Sequence, residues 1–362
     1  MLDLRSARLP LLVCGLLAAS ACARGSVTTE PAPPRQTPGS IPPGPYTPGQ
    51  SYVGQNQYIE YIAGNSPVIL SAPHGGDLTP SEIPDRTSSS CGGTATTGKD
   101  LNTRELTLAM QQSFYARFGK YPHVVINRLH RRKLDANRDI LEAACGDPMA
   151  QAAWKEFHEF LNAAKSAVLK DTGKGWYMDM HGHGHSIQRL ELGYQLSPSQ
   201  LDLADAGLDG NKAYEDTSSV KTLSEGDTRH SFSALLRGST SLGTLYANNG
   251  FPSIPSASDP GPKGEPYFRG GYNSARHSCG VEATGLGGTS GGAICGVQIE
   301  ANYIGVRDTP ANISRFADAT ATVLDTYLST HWGISLSSSP ARTATGVRTS
   351  SVTTVSRILR IQ

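Results

Sequence analysis

Segments with the look of buried strands alternate along this chain with amphipathic helical segments, and that order leaves few folds open. Val68-Ile-Leu, His123-Val-Val-Ile-Asn127, residues 175–180 and Ala293 to Glu300 are apolar runs of strand length. A helix is predicted from about Thr103 to Phe118, where Leu106, Met110, Phe114 and Phe118 recur at helical spacing. A second is predicted across 148–170, made amphipathic by Trp154, Phe157, Phe160, Leu161 and Val168. Helical stretches are also expected near 199–206 and 231–237, with a last one from about Ile313 to Trp332. Parallel strands need long crossovers, and helices supply them. The predicted fold is therefore α/β: a single three-layer sandwich whose mostly parallel, mixed sheet is covered by helices on both faces. Two Gly/Pro-rich stretches, 77–100 and 250–292, are too long for simple connections and are expected to form walls of a site.

The ends of the chain read differently. Arg5 and Arg8 precede an apolar run, Leu9 to Ala21, that closes on small residues before Cys22. Basic, apolar, then small is the pattern of an export signal over residues 1–22, too short to span a bilayer comfortably. Cleavage before Cys22 would give a lipid-anchored protein; cleavage after Ala21 or Ala23 would give a secreted one. Residues 23–50 are rich in Pro, Gly, Ser and Thr and have the composition of an extended linker. The main folded domain is expected over 51–335. A Ser/Thr-rich segment, 336–362, follows it, in which Val352 to Ile361 offers one further strand. Export permits disulfides. Of the six cysteines, Cys14 and Cys22 belong to the signal, leaving Cys91, Cys145, Cys279 and Cys295. Closeness in sequence favours the pairs Cys91–Cys145 and Cys279–Cys295 over the other two pairings.

Chemistry concentrates where the strands end. Trp176-Tyr-Met-Asp-Met-His181-Gly-His183-Gly-His185 closes a strand on three imidazoles, and Pro67-Val-Ile-Leu-Ser-Ala-Pro-His74-Gly-Gly-Asp77 delivers another in the same setting. Ligands of open α/β sheets bind outside the carboxyl ends of the strands. His74 and His181 are thus the first two candidate ligands of a metal, expected to be one Zn²⁺ per chain. Catalytic zinc takes three protein ligands and keeps one position open. Asp77 is the nearest candidate for the third, with Glu82 and His183 as alternatives. Glu300, an ionisable group ending a buried strand, suits a general base; the competing reading is an ion pair with Arg307. Arg128 and Arg138 are candidates to hold a substrate carboxylate, which a guanidinium matches with two parallel hydrogen bonds. Asp179 shares a strand face with His181 and is placed to orient its ring. Tyr272 and His277, on the Gly-hinged segment after Gly270-Gly271, are candidates to close over substrate or polarise its carbonyl.

These motifs together resemble a known family. Ser71-Ala-Pro-His74-Gly-Gly, Asp135-Ala-Asn137-Arg138, Asp179-Met-His181-Gly and Gln298-Ile-Glu300 are similar, in this order and over roughly residues 60 to 330, to the N-formylglutamate amidohydrolase family. The resemblance implies a zinc-carboxypeptidase-like fold in which a metal-activated water attacks an amide carbonyl. It implies His74 and His181 as metal ligands and Glu300 as general base, with Asn137 and Arg138 on the substrate carboxylate and Tyr272 closing over it. One departure stands out. Carboxypeptidases carry HxxE at the first ligand pair, whereas His74-Gly-Gly-Asp77 offers an Asp.

The expected activity is hydrolysis of an amide in a carboxylate-bearing N-acyl or N-formyl amino acid. Alternatives are a secreted carboxypeptidase or peptidoglycan-trimming peptidase, and a tethered, non-catalytic binding protein on the same fold. The expected partner is a small molecule or short peptide with a carboxylate; a membrane enters only through a lipid on Cys22. With 32 basic and 31 acidic residues there is no electrostatic case for nucleic acid. A serine hydrolase lacks its GxSxG turn; Gly288-Thr-Ser290-Gly is the nearest approach.

Overall fold

A computed structural model describes residues 39–280 and 292–337. Within them eight strands form one sheet: β1 (Ser51–Val53), β2 (Ile59–Ile62), β3 (Val68–Ala72), β4 (His123–Asn127), β5 (Gly175–Gly182), β6 (Leu190–Gly193), β7 (Ser253–Ile254) and β8 (Ile294–Ala301). Their spatial order is β1-β2-β4-β3-β5-β8-β6-β7. The centre, β4-β3-β5-β8, is parallel; β2 joins it antiparallel on one side and β6 antiparallel on the other. The expected mixed α/β sheet is what forms, and all four predicted strands lie at its centre.

Helices cover both faces. On one lie α1 (Thr103–Phe118) and α11 (Pro310–His331), packed on Val68, Leu70, Val124, Trp176, Met178 and Val297. On the other lie α2 (Ile140–Ala144) and α3 (Pro148–Thr172), against Ile69, Val125, Tyr177 and Ile294. Odd and even residues of each strand thus go to opposite layers, as the pleat requires. Local signals set the helix limits. Asp147 caps α3 by accepting the Met149 and Ala150 N–H groups, Pro148 opens it, and Gly173 ends it at φ 72°. Between β6 and β8 run short helices: α4 (Pro198–Leu201), α5 (Asp205–Asp209), α6 (Lys212–Thr217), α7 (Lys221–Gly226), α8 (Phe232–Arg237), α9 (Leu242–Asn248) and α10 (Tyr272–His277). The helices expected near 199–206 and 231–237 correspond to α4, α5 and α8. Stretch 250–292 is not all loop, since it carries β7 and α10.

Residues 39–50, the end of the expected linker, lie against this domain: the Tyr46 ring sits 4.8 Å from Tyr52 and 5.2 Å from Tyr61. The export segment, the rest of the linker, Val352 to Ile361 and the Gly288–Gly291 run fall outside the described residues. No described helix is long and apolar enough to cross a membrane.

Both expected disulfides are present, Cys91–Cys145 and Cys279–Cys295, with Cα–Cα distances of 4.4 and 4.6 Å. The first ties stretch 77–100, which has no helix or long strand of its own, to the end of α2. Its 54-residue separation makes it the more consequential of the two. Closing a loop of that length restricts the unfolded chain by about 4 kcal/mol in the chain-entropy treatment. The double variant Cys91→Ser/Cys145→Ser is expected to lose stability of that order in urea titration, with its midpoint lowered and its slope raised as the freed unfolded chain exposes more surface.

Candidate metal centre

The sheet register aligns the polar residues. Ser71 on β3 pairs with Asp179 on β5, and Asp179 and His181 pair with Gln298 and Glu300 on β8. By strand alternation all five share the face of Ile69, Tyr177 and Ile294, the α3 side. His74 follows β3 by two residues and reaches the same end of the sheet. The sharp turn there needs glycine: a Cβ on Gly76 would lie 2.3 Å from the Arg128 carbonyl carbon.

Three ligand atoms converge at this end. His74 Nδ1 and His181 Nδ1 each lie 3.3 Å from Asp100 Oδ2, and all three residues are buried. Ligands 2.0–2.1 Å from a tetrahedral zinc stand roughly 3.3 Å apart, so the spacing matches the edges of a zinc tetrahedron. Two imidazoles and one carboxylate also form the donor set that zinc favours. Both imidazoles are held from behind. His74 Nε2–H donates to Asp135 Oδ1 at 2.6 Å and His181 Nε2–H to Asp179 Oδ2 at 2.7 Å, which fixes each tautomer with Nδ1 toward the centre. Arg131 Nε donates to Asp135 at 2.9 Å, and Ser71 Oγ donates to Asp179. The residues present therefore fit a metal.

Charge follows from this packing. Burial alone disfavours a charged His181, but the Asp179 carboxylate and hydrogen bonds to Asp100 and Asp179 outweigh it and raise its pKa to about 10. Burial works against an ionised Asp100 as well; the His74 and His181 rings more than offset it and hold the carboxyl well below its usual range. In the bare chain a proton on His181 Nδ1 thus takes the place of the cation. Glu300 behaves oppositely. Burial pushes its carboxyl up to about 7 against the pull of His181, with Asp100 and Glu191 adding to the rise. A chain of amides holds it: Asn273 N–H donates to Asn137 Oδ1, Asn137 Nδ2 to Gln298 Oε1, and Gln298 Nε2 to Glu300 Oε1 at 2.8 Å.

His74, Asp100, Asn137, Arg138, His181, Gln298 and Glu300 all line one cleft of about 510 Å³. Other expected residues lie elsewhere. Asp77 is an exposed partner of Lys99 and Glu82 an exposed partner of the Tyr58 hydroxyl; neither joins the converging group, whose carboxylate is Asp100. His183 lines the cleft but has no free nitrogen. Its Nε2–H donates to the Arg189 carbonyl at 2.8 Å and its Nδ1 accepts the His185 N–H at 3.1 Å. Arg128 donates outward to the Gln57 carbonyl. Tyr272 takes a hydrogen bond from Arg276 and His277 is buried 2.8 Å from His158, and neither is among the cleft's lining residues. Arg307 is spent on backbone carbonyls of Ala301 and His183 and forms no ion pair with Glu300.

Sequence reasoning gave no role to Asp100, Asp135 or Arg131 at the centre, nor to the 2.7 Å pair of Glu191 with His185, which lines the cleft. Two further groups, His183–His185–Glu191 and Asp227–His230–His331, bring ligand-type atoms together. Their closest pairs, at 2.6–2.8 Å, are at direct hydrogen-bond distance, shorter than a ligand edge.

No family model and no curated protein matches the chain. A crystal structure of N-formylglutamate amidohydrolase from Ralstonia eutropha JMP134 is similar over 74% of this chain and 95% of that one, at 11% identity and a TM-score of 0.40. A likeness that distant carries no activity over to this chain.

Proposed function

We propose that the protein is an exported, zinc-dependent amidohydrolase acting on a carboxylate-bearing N-acyl amino acid. The observation that carries this reading is the 3.3 Å distance from Asp100 Oδ2 to both His74 Nδ1 and His181 Nδ1 in the cleft, with Glu300 paired to His181 across the strands. A bound zinc supplies a Lewis acid that polarises a carbonyl and acidifies water. Glu300 takes the proton of the attacking water and passes it to the leaving amine. Gln298 orients Glu300, while Asp135 and Asp179 keep the imidazoles aimed. Arg138 lines the same cleft; its Nε is on Glu142 and its Nη1 on the Asn137 carbonyl, leaving Nη2 for a substrate carboxylate. Support for export comes from the pattern of residues 1–22 and from the two disulfides.

Metal loading tests this directly. Purified protein incubated with zinc is expected to bind about one equivalent, lost in His74→Ala. Because His181 holds its Nδ1 proton to about 10, loading at neutral pH should release a proton. Affinity should then fall as pH falls. Calorimetry in buffers of different ionisation enthalpy reads both. No zinc uptake at any pH would leave a binding protein without this chemistry.

A further inference from the structure

One ionisable pair in the cleft takes no part in holding the ligand group. Along the end of the sheet His181 on β5, Glu300 on β8 and Glu191 on β6 are successive cross-strand partners. Directly opposed residues of antiparallel strands keep their Cβ atoms about 4.5–5.5 Å apart on one face. Glu191 therefore stands beside Glu300 on the side away from His181. Its side chain is buried, and both oxygens are spent on fixing one imidazole. Oε1 accepts from His185 Nδ1 at 2.7 Å, and Oε2 accepts the Phe268 N–H at 2.8 Å. The Phe268 ring in turn stacks on the His185 ring, 4.8 Å away at 12°. The His185 N–H donates to His183 Nδ1. His185 is thus held by its backbone, one ring face and one ring nitrogen. The other nitrogen, Nε2, has no hydrogen-bond partner among the described residues, and the ring lines the cleft together with Glu300.

A carboxylate only accepts, so the neutral His185 ring carries its hydrogen at Nδ1 and offers Nε2 as an acceptor. We propose that His185 Nε2 accepts the N–H of the scissile amide. This rests on the amidohydrolase reading above and narrows it to secondary amides. Once water has added to the carbonyl, the nitrogen is pyramidal, and its single N–H and its lone pair point different ways. An acceptor for the N–H beside Glu300 leaves the lone pair free for the proton that Glu300 holds. The nitrogen takes that proton, the C–N bond breaks with its electron pair left on nitrogen, and the carbonyl re-forms as the amine departs. An ester oxygen, or the nitrogen of an N-acylproline or N-methyl amide, has no hydrogen for Nε2 to hold. The chemical class is an N-acyl amino acid with a free amide N–H.

The test reads the ring first and turnover second. Nitrogen NMR of the zinc-incubated full chain, labelled at histidine and assigned through His185→Ala, is expected to find the His185 hydrogen at Nδ1. In Glu191→Gln the side-chain oxygen keeps the Phe268 N–H and the amide nitrogen turns to His185, so the hydrogen should move to Nε2. A panel of N-formyl, N-acetyl and N-hexanoyl amino acids then finds an amide the protein cleaves. Its ester counterpart, with oxygen in place of the N–H, is compared with it. Leaving a donor unpaired in the cleft costs roughly 10–100-fold, so the ratio of amide to ester kcat/KM should fall by that factor in both His185→Ala and Glu191→Gln. Damage to the fold or the metal would lower both substrates together. A hydrogen at Nε2 in the parent, or an amide-to-ester ratio that neither substitution moves, overturns this inference and leaves the amidohydrolase reading standing. No cleavage of any amide in the panel overturns that reading, and the inference with it.

Discussion

Glu300→Gln is expected to keep the zinc and lose roughly 10²–10⁴-fold in turnover, the usual contribution of a positioned acid–base group. The substitution is nearly isosteric, and the amide oxygen still accepts from Gln298, so the cleft should hold its shape. What disappears is the only property the proposed chemistry needs of this residue, the capacity to take and return a proton. The same variant has an opposite effect on stability in the metal-free protein. The folded-state pKa of Glu300 is raised to about 7, above its unfolded value. The folded state therefore holds the proton more tightly, and the native fold loses stability as pH rises from the unfolded value through 7. Glutamine removes that loss. Metal-free Glu300→Gln should be more stable than the parent at pH 8, by an upper limit of roughly 3 kcal/mol, and should approach it at pH 4. Denaturant titrations at the two pH values read the difference. Near-full turnover in Glu300→Gln would move the base elsewhere, with His185, held at Nδ1 by Glu191 and lining the cleft, next in line.

How far the sequence led depended on whether a signal was local. The central strands and the long helices α1, α3 and α11 were legible because each carries its own apolar period. The outer strands β1 and β2 were not: Ser51-Tyr-Val and Ile59-Glu-Tyr-Ile are short and mixed in polarity, and only the pairing of β2 with β4 and of β1 with β2 makes them strands. In the site, His74, His181, Asp179 and Glu300 could be placed because strand alternation and strand ends are local facts. The carboxylate that joins the two imidazoles could not. Asp100 sits just before α1, where an Asp looks like helix-capping chemistry, and it is brought to His74 by a backbone hydrogen bond from its own N–H to the His74 carbonyl, 26 positions away. Tyr272 and His277 lie off the cleft for the converse reason. Their Gly-flanked stretch looked like a mobile loop, but it folds as α10 and packs on β5 and β8, which buries His277 against His158.

The contrast between Asp100 and Asp77 gives the second large expected effect. Asp100→Ala removes one of the three proposed ligand atoms and leaves His74 and His181 facing each other without the carboxylate that draws them together. Zinc affinity should fall by more than the 10–100-fold typical of losing an outer partner such as Asp135 or Asp179. Asp77→Ala should leave it unchanged, since the Asp77 side chain is 73% exposed and spent on Lys99. Competition against a chromophoric chelator measures both, with far-ultraviolet circular dichroism to show that each variant is folded. Asp100→Asn serves as a second probe: it keeps size and hydrogen bonding to the Gly182 N–H while removing the charge, so its loss isolates the carboxylate's role as ligand. A protein in which Asp77→Ala lost the metal and Asp100→Ala kept it would have its centre built on the loop beside His74. The buried position of Asp100, its ion pair with Arg131 and its equal distances to both imidazoles argue that the centre lies on the sheet's carboxyl edge instead.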